Sequence, residues 1–261
     1  MPSVERIAVV THGHPELVQQ AVARVEALAA RLGVEVVADQ GRPDVAVVLG
    51  GDGTMLRALQ RYLDDEVPVV GVNFGRVGFL TAIRPAELEP GLERVLAGDY
   101  RVVRLPTLEV EFDHETHVAV NDTVVTSGTI GRIIELGYAI GDEDLGLQRC
   151  DGLVLSTPQG STAYNLSNGG PVLVWGLDAM VLTFVAPHSL HIRPLVVPRG
   201  PDVTVTNRSA DVPTTVIVDG HAVGSLDSGE DVRIRVGRRQ ALLATLPENT
   251  FFARYAATFG R

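Results

Sequence analysis

A carboxylate set among glycines, Gly50-Gly51-Asp52-Gly53-Thr54, has the composition of a turn that meets phosphate. Glycines let backbone N–H groups approach phosphate oxygens, and the N-terminus of a following helix adds partial positive charge. Asp52 is the informative member. A carboxylate beside phosphate is repulsive unless a cation intervenes or the carboxylate takes a proton from an attacking hydroxyl. The turn therefore suits a polyphosphate, met by Gly50, Gly51, Gly53 and Thr54, with Asp52 facing either a cation or a hydroxyl that gives up its proton. The competing reading makes Asp52, or Thr54, a helix cap and the glycines a tight turn. The turn has neither the spacing nor the lysine of a P-loop.

A second constellation occupies residues 151–164 and continues to Gly169-Gly170-Pro171. A strand there feeds a turn dense in hydroxyls. Ser161 and Thr162 can donate to a ligand or cap a short helix, and Tyr164 offers a flat face with a polar tip. Between the two constellations lies Asn121-Asp122, an amide and a carboxylate able to hydrogen-bond an adenine edge and a ribose diol. Taken alone, such a pair is more often a turn. The pairs His114/His117 and His188/His191 have ligand-like spacing without a third ligand, and Trp175 reads as packing or interface.

Composition narrows the chemistry. All 22 Lys-plus-Arg residues are arginine, which removes any mechanism built on a lysine phosphate contact or a Schiff base. A net charge of −10 argues against nucleic acid as a partner. No run of residues is apolar for long enough to cross a bilayer, so no membrane partner is expected. The single cysteine, Cys150, forbids an internal disulfide and reads as a buried small residue; the expected location is cytoplasmic.

The elements that must position these residues change character along the chain. Strand-like runs at 7–10, 34–37, 45–49 and 67–72 alternate with helix-like patterns at about 15–32, 54–63 and 85–96, which implies a parallel, doubly wound sheet. After Gly98-Asp99 the pattern turns to period two: 108–112, 118–125, 133–140, 153–156, 180–185, 203–206, 215–218, 232–236 and 241–245 all read as strands. The apolar set Phe251, Phe252, Tyr255 and Phe259 suits a closing helix.

Taken in order, Gly50 to Thr54, Asn121-Asp122, residues 157–164, Gly169-Gly170-Pro171, His188-Ser189-Leu190 and Arg193-Pro194 resemble the motifs of the bacterial NAD kinase family over nearly the whole chain. The diglycine-Asp-Gly motif is shared with lipid kinases and, loosely, phosphofructokinases. The Tyr164 segment is the specific signal. The resemblance implies a Rossmann-like α/β domain, residues 1–99 completed by the tail 247–261, and a β-rich NAD-binding domain, residues 100–246. It implies a homodimer or homotetramer. The 2′-hydroxyl of the adenosine ribose of NAD would attack the γ-phosphate of ATP or another donor, giving NADP, with Asp52 as base and Mg²⁺ or another divalent cation assisting. Phe79, Asn121, Asp122, Asp151, Thr162, Ala163, Tyr164 and Ser167 would contact NAD, with Asp219 and His221 as secondary candidates. Two departures stand out. Asp122 replaces the family's usual Glu, and Gln159 replaces a small residue and could crowd the nucleotide. A kinase for another hydroxyl acceptor and a non-catalytic dinucleotide sensor are the alternatives.

Overall fold

The computed structural model describes residues 3–12, 15–38, 41–75, 78–129 and 131–260. The chain divides into two compact units, Met1–Leu105 with Gln240–Arg261, and Pro106–Arg239.

The first unit begins with β1 (Arg6–Thr11), α1 (Pro15–Leu32), β2 (Glu35–Val36), β3 (Val45–Gly50), α2 (Asp52–Arg61), β4 (Val69–Asn73) and α3 (Leu88–Leu96). β1, β2, β3 and β4 pair in parallel in the order β2-β1-β3-β4, as the alternating pattern predicts. Parallel neighbours require crossovers, and α1 and α2 supply them. β3 is apolar at every position before its glycine and buried throughout, the signature of a strand covered on both faces. α1 turns Val18, Ala21, Val25, Leu28 and Ala29 inward at helical spacing. The expected helix at 54–63 starts two residues earlier, which brings Asp52 into its first turn.

The second unit continues through β5 (Arg101–Phe112), which begins in the first unit, then β6 (Glu115–Ala119), β7 (Asp122–Ser127), β8 (Ile134–Ile140), β9 (Glu143–Cys150) and β10 (Gly152–Ser156). The short helix α4 (Tyr164–Ser167) precedes β11 (Ala179–Val185), β12 (Leu195–Pro198), β13 (Val203–Asn207), β14 (Thr214–Val218) and β15 (His221–Leu226). Six of these strands form an antiparallel sheet in the order β12-β11-β10-β7-β14-β15. β13 pairs on one side with β8 and on the other with β16 (Asp231–Thr245), while β5 pairs with β6. Inward residues of both sets of strands, among them Leu108, Val125, Leu153, Leu182, Val205 and Ile234, make one core. Cys150 joins that core, and burial pushes its thiol up to about 12.

β16 ends in the first unit, where Leu243 pairs with Val69, and α5 (Phe251–Phe259) follows it there. The expected boundaries at 99/100 and 246/247 therefore differ from those observed, because β5 and β16 each run through a boundary. The predicted strand 118–125 is two strands, interrupted at Val120-Asn121. In α5 only Phe251 of the four aromatics is buried; Phe252 is 67% exposed. No described helix is long and apolar enough to cross a membrane.

Leu153 is fully buried at the centre of the second unit's core. Leu153→Ala is expected to cost about 2–5 kcal/mol through lost burial and a residual cavity. A lowered urea midpoint at unchanged denaturant slope is the expected readout.

Candidate active site

In the first unit, β3 delivers the chain to Gly51, which stands as the N-cap of α2 with φ −102° and ψ −171°. Its carbonyl accepts from Thr54 and Met55 N–H, both at 3.0 Å. No side chain caps this helix, so neither Asp52 nor Thr54 does the capping considered from sequence. The Asp52 carboxylate instead accepts from the main-chain N–H groups of Phe79 at 2.7 Å and Leu80 at 3.2 Å. A Cβ on Gly78 would stand 2.2 Å from Asp52 Oδ1, so only glycine lets this loop close on the carboxylate.

The turn around Asp52 is lined by main chain. Phe74 N–H donates to Gly50 O at 3.1 Å, and a Cβ on Gly75 would stand 3.3 Å from Gly51 Cα. Gly50 pairs with Asn73, whose amide oxygen accepts from Gly75 N–H at 3.0 Å. Gly53 is exposed with open space at its Cα. Thr54 is buried, and a Cβ on Gly50 would meet its hydroxyl at 2.5 Å, so Thr54 packs beneath the turn. The ring of Phe79 packs on α5, with centroids 6.3 Å from Phe251 and 5.6 Å from Phe259. What Phe79 brings to Asp52 is its main chain. Asn73, Gly75 and Gly78 were not singled out from sequence; their signal was the glycine spacing after the fourth strand.

In the second unit, the Asn121-Asp122 turn is held from two sides. Asp219 opens the two-residue hairpin between β14 and β15, with φ +46° at Asp219 and +82° at Gly220, the conformation that an Asp-Gly pair favours. Its carboxylate accepts from the N–H groups of Val120, Asn121 and Asp122 at 2.6, 2.8 and 3.0 Å. The carbonyls of the same turn are met from the other side. Thr157 Oγ1 lies 2.7 Å from Val120 O and 3.0 Å from Asn121 O, and Thr157 N–H donates to Asn121 O at 2.9 Å. Gln159 Nε2 donates to Pro106 O at 2.7 Å and to Val120 O. Gln159 is 2% exposed, so it supports the turn from inside and does not crowd a ligand, contrary to the expectation from sequence. Gly160 closes the arrangement, since a Cβ there would stand 2.1 Å from Asn121 O.

Much of the hydroxyl-rich segment is scaffold. Ser161 donates to Pro158 O at 2.6 Å and accepts from Leu173 N–H at 2.9 Å, and Thr162 donates to Gln159 O at 3.1 Å. Asn165, not anticipated, is fully buried: its amide donates to Ser161 O and Pro171 O, and its oxygen accepts from Thr183 at 2.6 Å. Ala163, Tyr164 and Ser167 remain exposed, Tyr164 at 42%. Asn121 Oδ1 is buried with no partner among the described residues. Asp122, Ser156 and Val218 meet at one end of the six-stranded sheet, as the pairings Ser156↔Asp122 and Val218↔Thr123 require. Asp151 precedes the opposite end of β10, roughly 17 Å away at about 3.3 Å per residue. The structure does not bring it to Asn121. His221 Nδ1 lies 3.1 Å from Asp219 O. Among the described residues no group of three or more His, Cys, Asp or Glu could hold a metal ion.

A model of the ATP-NAD kinase N-terminal domain matches residues 34–100, and one of the ATP-NAD kinase C-terminal domain matches residues 120–246. The NAD kinase of Heliobacterium modesticaldum is 42% identical over 214 residues, covering 80% of this chain and 76% of that one. That of Gemmatimonas aurantiaca is 38% identical over 226 residues, covering 83% and 77%. The crystal structure of an NAD kinase from Archaeoglobus fulgidus in complex with ATP superposes with a TM-score of 0.81 at 29% identity, covering 98% of this chain and 97% of that one. Yeast NADH kinase complexed with NADH shares the fold, with a TM-score of 0.82 at 22% identity over 99% of this chain and 88% of that one.

Burial, and then the nearby Asp219 carboxylate, push Asp122 up to about 7. The unfolded carboxyl releases its proton near ~4. Folding therefore takes up a proton between those values, and stability falls as pH rises through that window. Asp122→Asn removes the penalty. It is expected to stabilise the protein on the order of 2 kcal/mol at pH 8 and by little at pH 4. Melting temperatures of both proteins across this range measure the difference; an equal gain at both pH values would exclude the titration of Asp122 as its source.

Proposed function

The chain belongs to the NAD kinase family and phosphorylates NAD to NADP, and from that premise we propose that Asp52 takes the proton from the attacking 2′-hydroxyl of the adenosine ribose. The observation that carries this reading is the main-chain grip on the Asp52 carboxylate. Two N–H groups fix its orientation and leave lone pairs on its oxygens for a substrate hydroxyl. A base held in one orientation by rigid backbone supplies both proximity and proton transfer. As the O2′–H proton passes to Asp52, O2′ forms its bond to the γ-phosphorus of ATP and the bond from that phosphorus to the β–γ bridging oxygen breaks, releasing ADP.

The remaining assignments follow from chemistry and exposure. Gly50, Gly51 and Gly53 present main-chain N–H groups at a helix N-terminus, which suits the phosphates. Thr54 acts beneath that turn through packing. Asn121, with its buried unpartnered amide oxygen, and Asp122 hold nucleoside hydroxyl or amine groups. Thr162, Ala163, Tyr164 and Ser167 line the dinucleotide, Tyr164 by stacking. Asp219 and His221 act through the Asn121 turn. The assembly we propose is a homodimer or homotetramer, in which a second copy would bring Asp151 to a dinucleotide. Asp52 at the start of α2 and Asn73 at the end of β4 are hard oxygen donors and would be the residues to hold a Mg²⁺ ion. When bound, such an ion neutralises charge on the β- and γ-phosphates. Use of ATP and NAD is consistent with a cytoplasmic setting.

Purified protein with Mg²⁺, NAD and ATP is expected to form NADP in a dehydrogenase-coupled assay; no NADP with ATP or polyphosphate would sink the assignment. Asp52→Asn is expected to bind NAD and to lose at least ~100-fold in kcat. Gly78→Ala drives a methyl group into the Asp52 carboxylate. It is expected to lower kcat by roughly 10- to 100-fold with the fold intact. Unchanged turnover in Gly78→Ala would mean that the carboxylate's placement does not govern the rate.

A further inference from the structure

Arg254 lies in α5 within the first unit and is half-buried. Its Nη1 donates to Phe79 O at 2.6 Å and to Thr81 O, and its Nη2 lies 3.4 Å from Thr245 Oγ1. Beside it, Asn249 Nδ2 donates to Ala82 O at 2.7 Å, and Phe79 packs its ring between Phe251 and Phe259. The tail thus grips the loop 79–82 through carbonyls and one ring. The same loop grips Asp52 through its N–H groups.

The two grips meet in one peptide unit. The carbonyl of Phe79 accepts from Arg254, and the N–H of the same peptide, that of Leu80, donates to Asp52. Because a peptide is planar, fixing its carbonyl fixes the direction of its N–H. A cation on the oxygen also polarises the unit and strengthens the bond at its other end. Burial lowers Arg254 to about 10, and the Asp52 charge opposes that shift. The guanidinium therefore stays charged at neutral pH.

We propose that Arg254 is a positioning residue for the transfer reaction, orienting the 79–80 peptide so that its N–H holds the Asp52 carboxylate toward the attacking hydroxyl. This rests on Asp52 being the base. Arg254 touches no substrate. Its removal lowers kcat and leaves KM for NAD and for ATP nearly unchanged. A role confined to folding would instead lower the melting temperature and the active fraction while kcat per folded molecule stayed constant.

The test is a double-mutant cycle on the full chain, with kcat and KM for NAD and ATP, active-site titration and thermal melts for Asp52→Asn, Arg254→Ala and the pair. Arg254→Ala is expected to lose roughly 10- to 100-fold in kcat. The pair should be no slower than Asp52→Asn alone, since a residue acting through Asp52 has nothing left to position. Added guanidinium should restore part of the activity of Arg254→Ala and none of that of Asp52→Asn. Should Arg254→Ala not fold, Arg254→Lys enters the same cycle, keeping charge while losing the forked geometry. Additive losses, or unchanged kcat in a folded Arg254 variant, overturn the inference and leave Asp52 as base. Undiminished turnover in Asp52→Asn overturns the base assignment, and this inference with it.

Discussion

A carboxylate gripped by main-chain N–H groups is the constraint on which both units depend. Such bonds are charge-assisted and cannot be satisfied by a side chain that wanders, so each one fixes a loop as firmly as it fixes the acid. Asp219 gathers three of them from Val120, Asn121 and Asp122, and thereby shapes the Asn121 turn. Asp52 gathers two, from Phe79 and Leu80. The difference in number suits different tasks: Asp219 is committed to structure, whereas Asp52 retains acceptor capacity for the role proposed for it.

Close approach makes these grips possible, and glycine provides it by size more than by backbone freedom. Gly78 sits against the Asp52 carboxylate, Gly160 against the Asn121 carbonyl and Gly170 against the Asn165 amide, each at a distance that a Cβ would violate. The absence of lysine has a similar structural reading. A buried ammonium loses its proton more readily than a guanidinium, and it lacks the planar fork that lets Arg254 address two carbonyls at once. In a chain whose every long cation is arginine, main-chain carbonyls become the natural partners of a buried charge.

The sequence announced the parts whose signals are local. Residues 45–49 form an unbroken apolar run followed at once by glycines, so the buried strand, the turn and the following helix were all readable, and with them Asp52. The period-two second half was readable in most of its strands, although β12 and β15 went unread and 232–236 and 241–245 are one strand, β16. β9 escaped because Glu143–Cys150 carries a polar, exposed strand, and no alternation marks it. The break in 118–125 escaped for a different reason. Asn121 and Asp122 are weak strand formers, but the β-branched residues on either side masked the break, which Asp219 holds from nearly a hundred residues later in the chain. Gln159 was misjudged because its type suggested bulk near a ligand, whereas its amide points inward to carbonyls of Pro106 and Val120. In α5 the aromatic spacing announced a helix, but the residue that reaches the carbonyl of the Asp52-bound peptide is the arginine between the aromatics.

The order of these parts along the chain has a temporal side. Asp52 precedes Arg254 by some two hundred residues. At a synthesis rate of about 5–20 residues per second, the carboxylate leaves the ribosome roughly 10–40 s before the helix that steadies its loop. During that interval the glycine turn can form, since β3 and α2 are local, but the 79–80 peptide lacks Arg254 on its carbonyl. If Arg254 positions the base as proposed, competence for phosphoryl transfer arrives late, with the segment that closes the first unit.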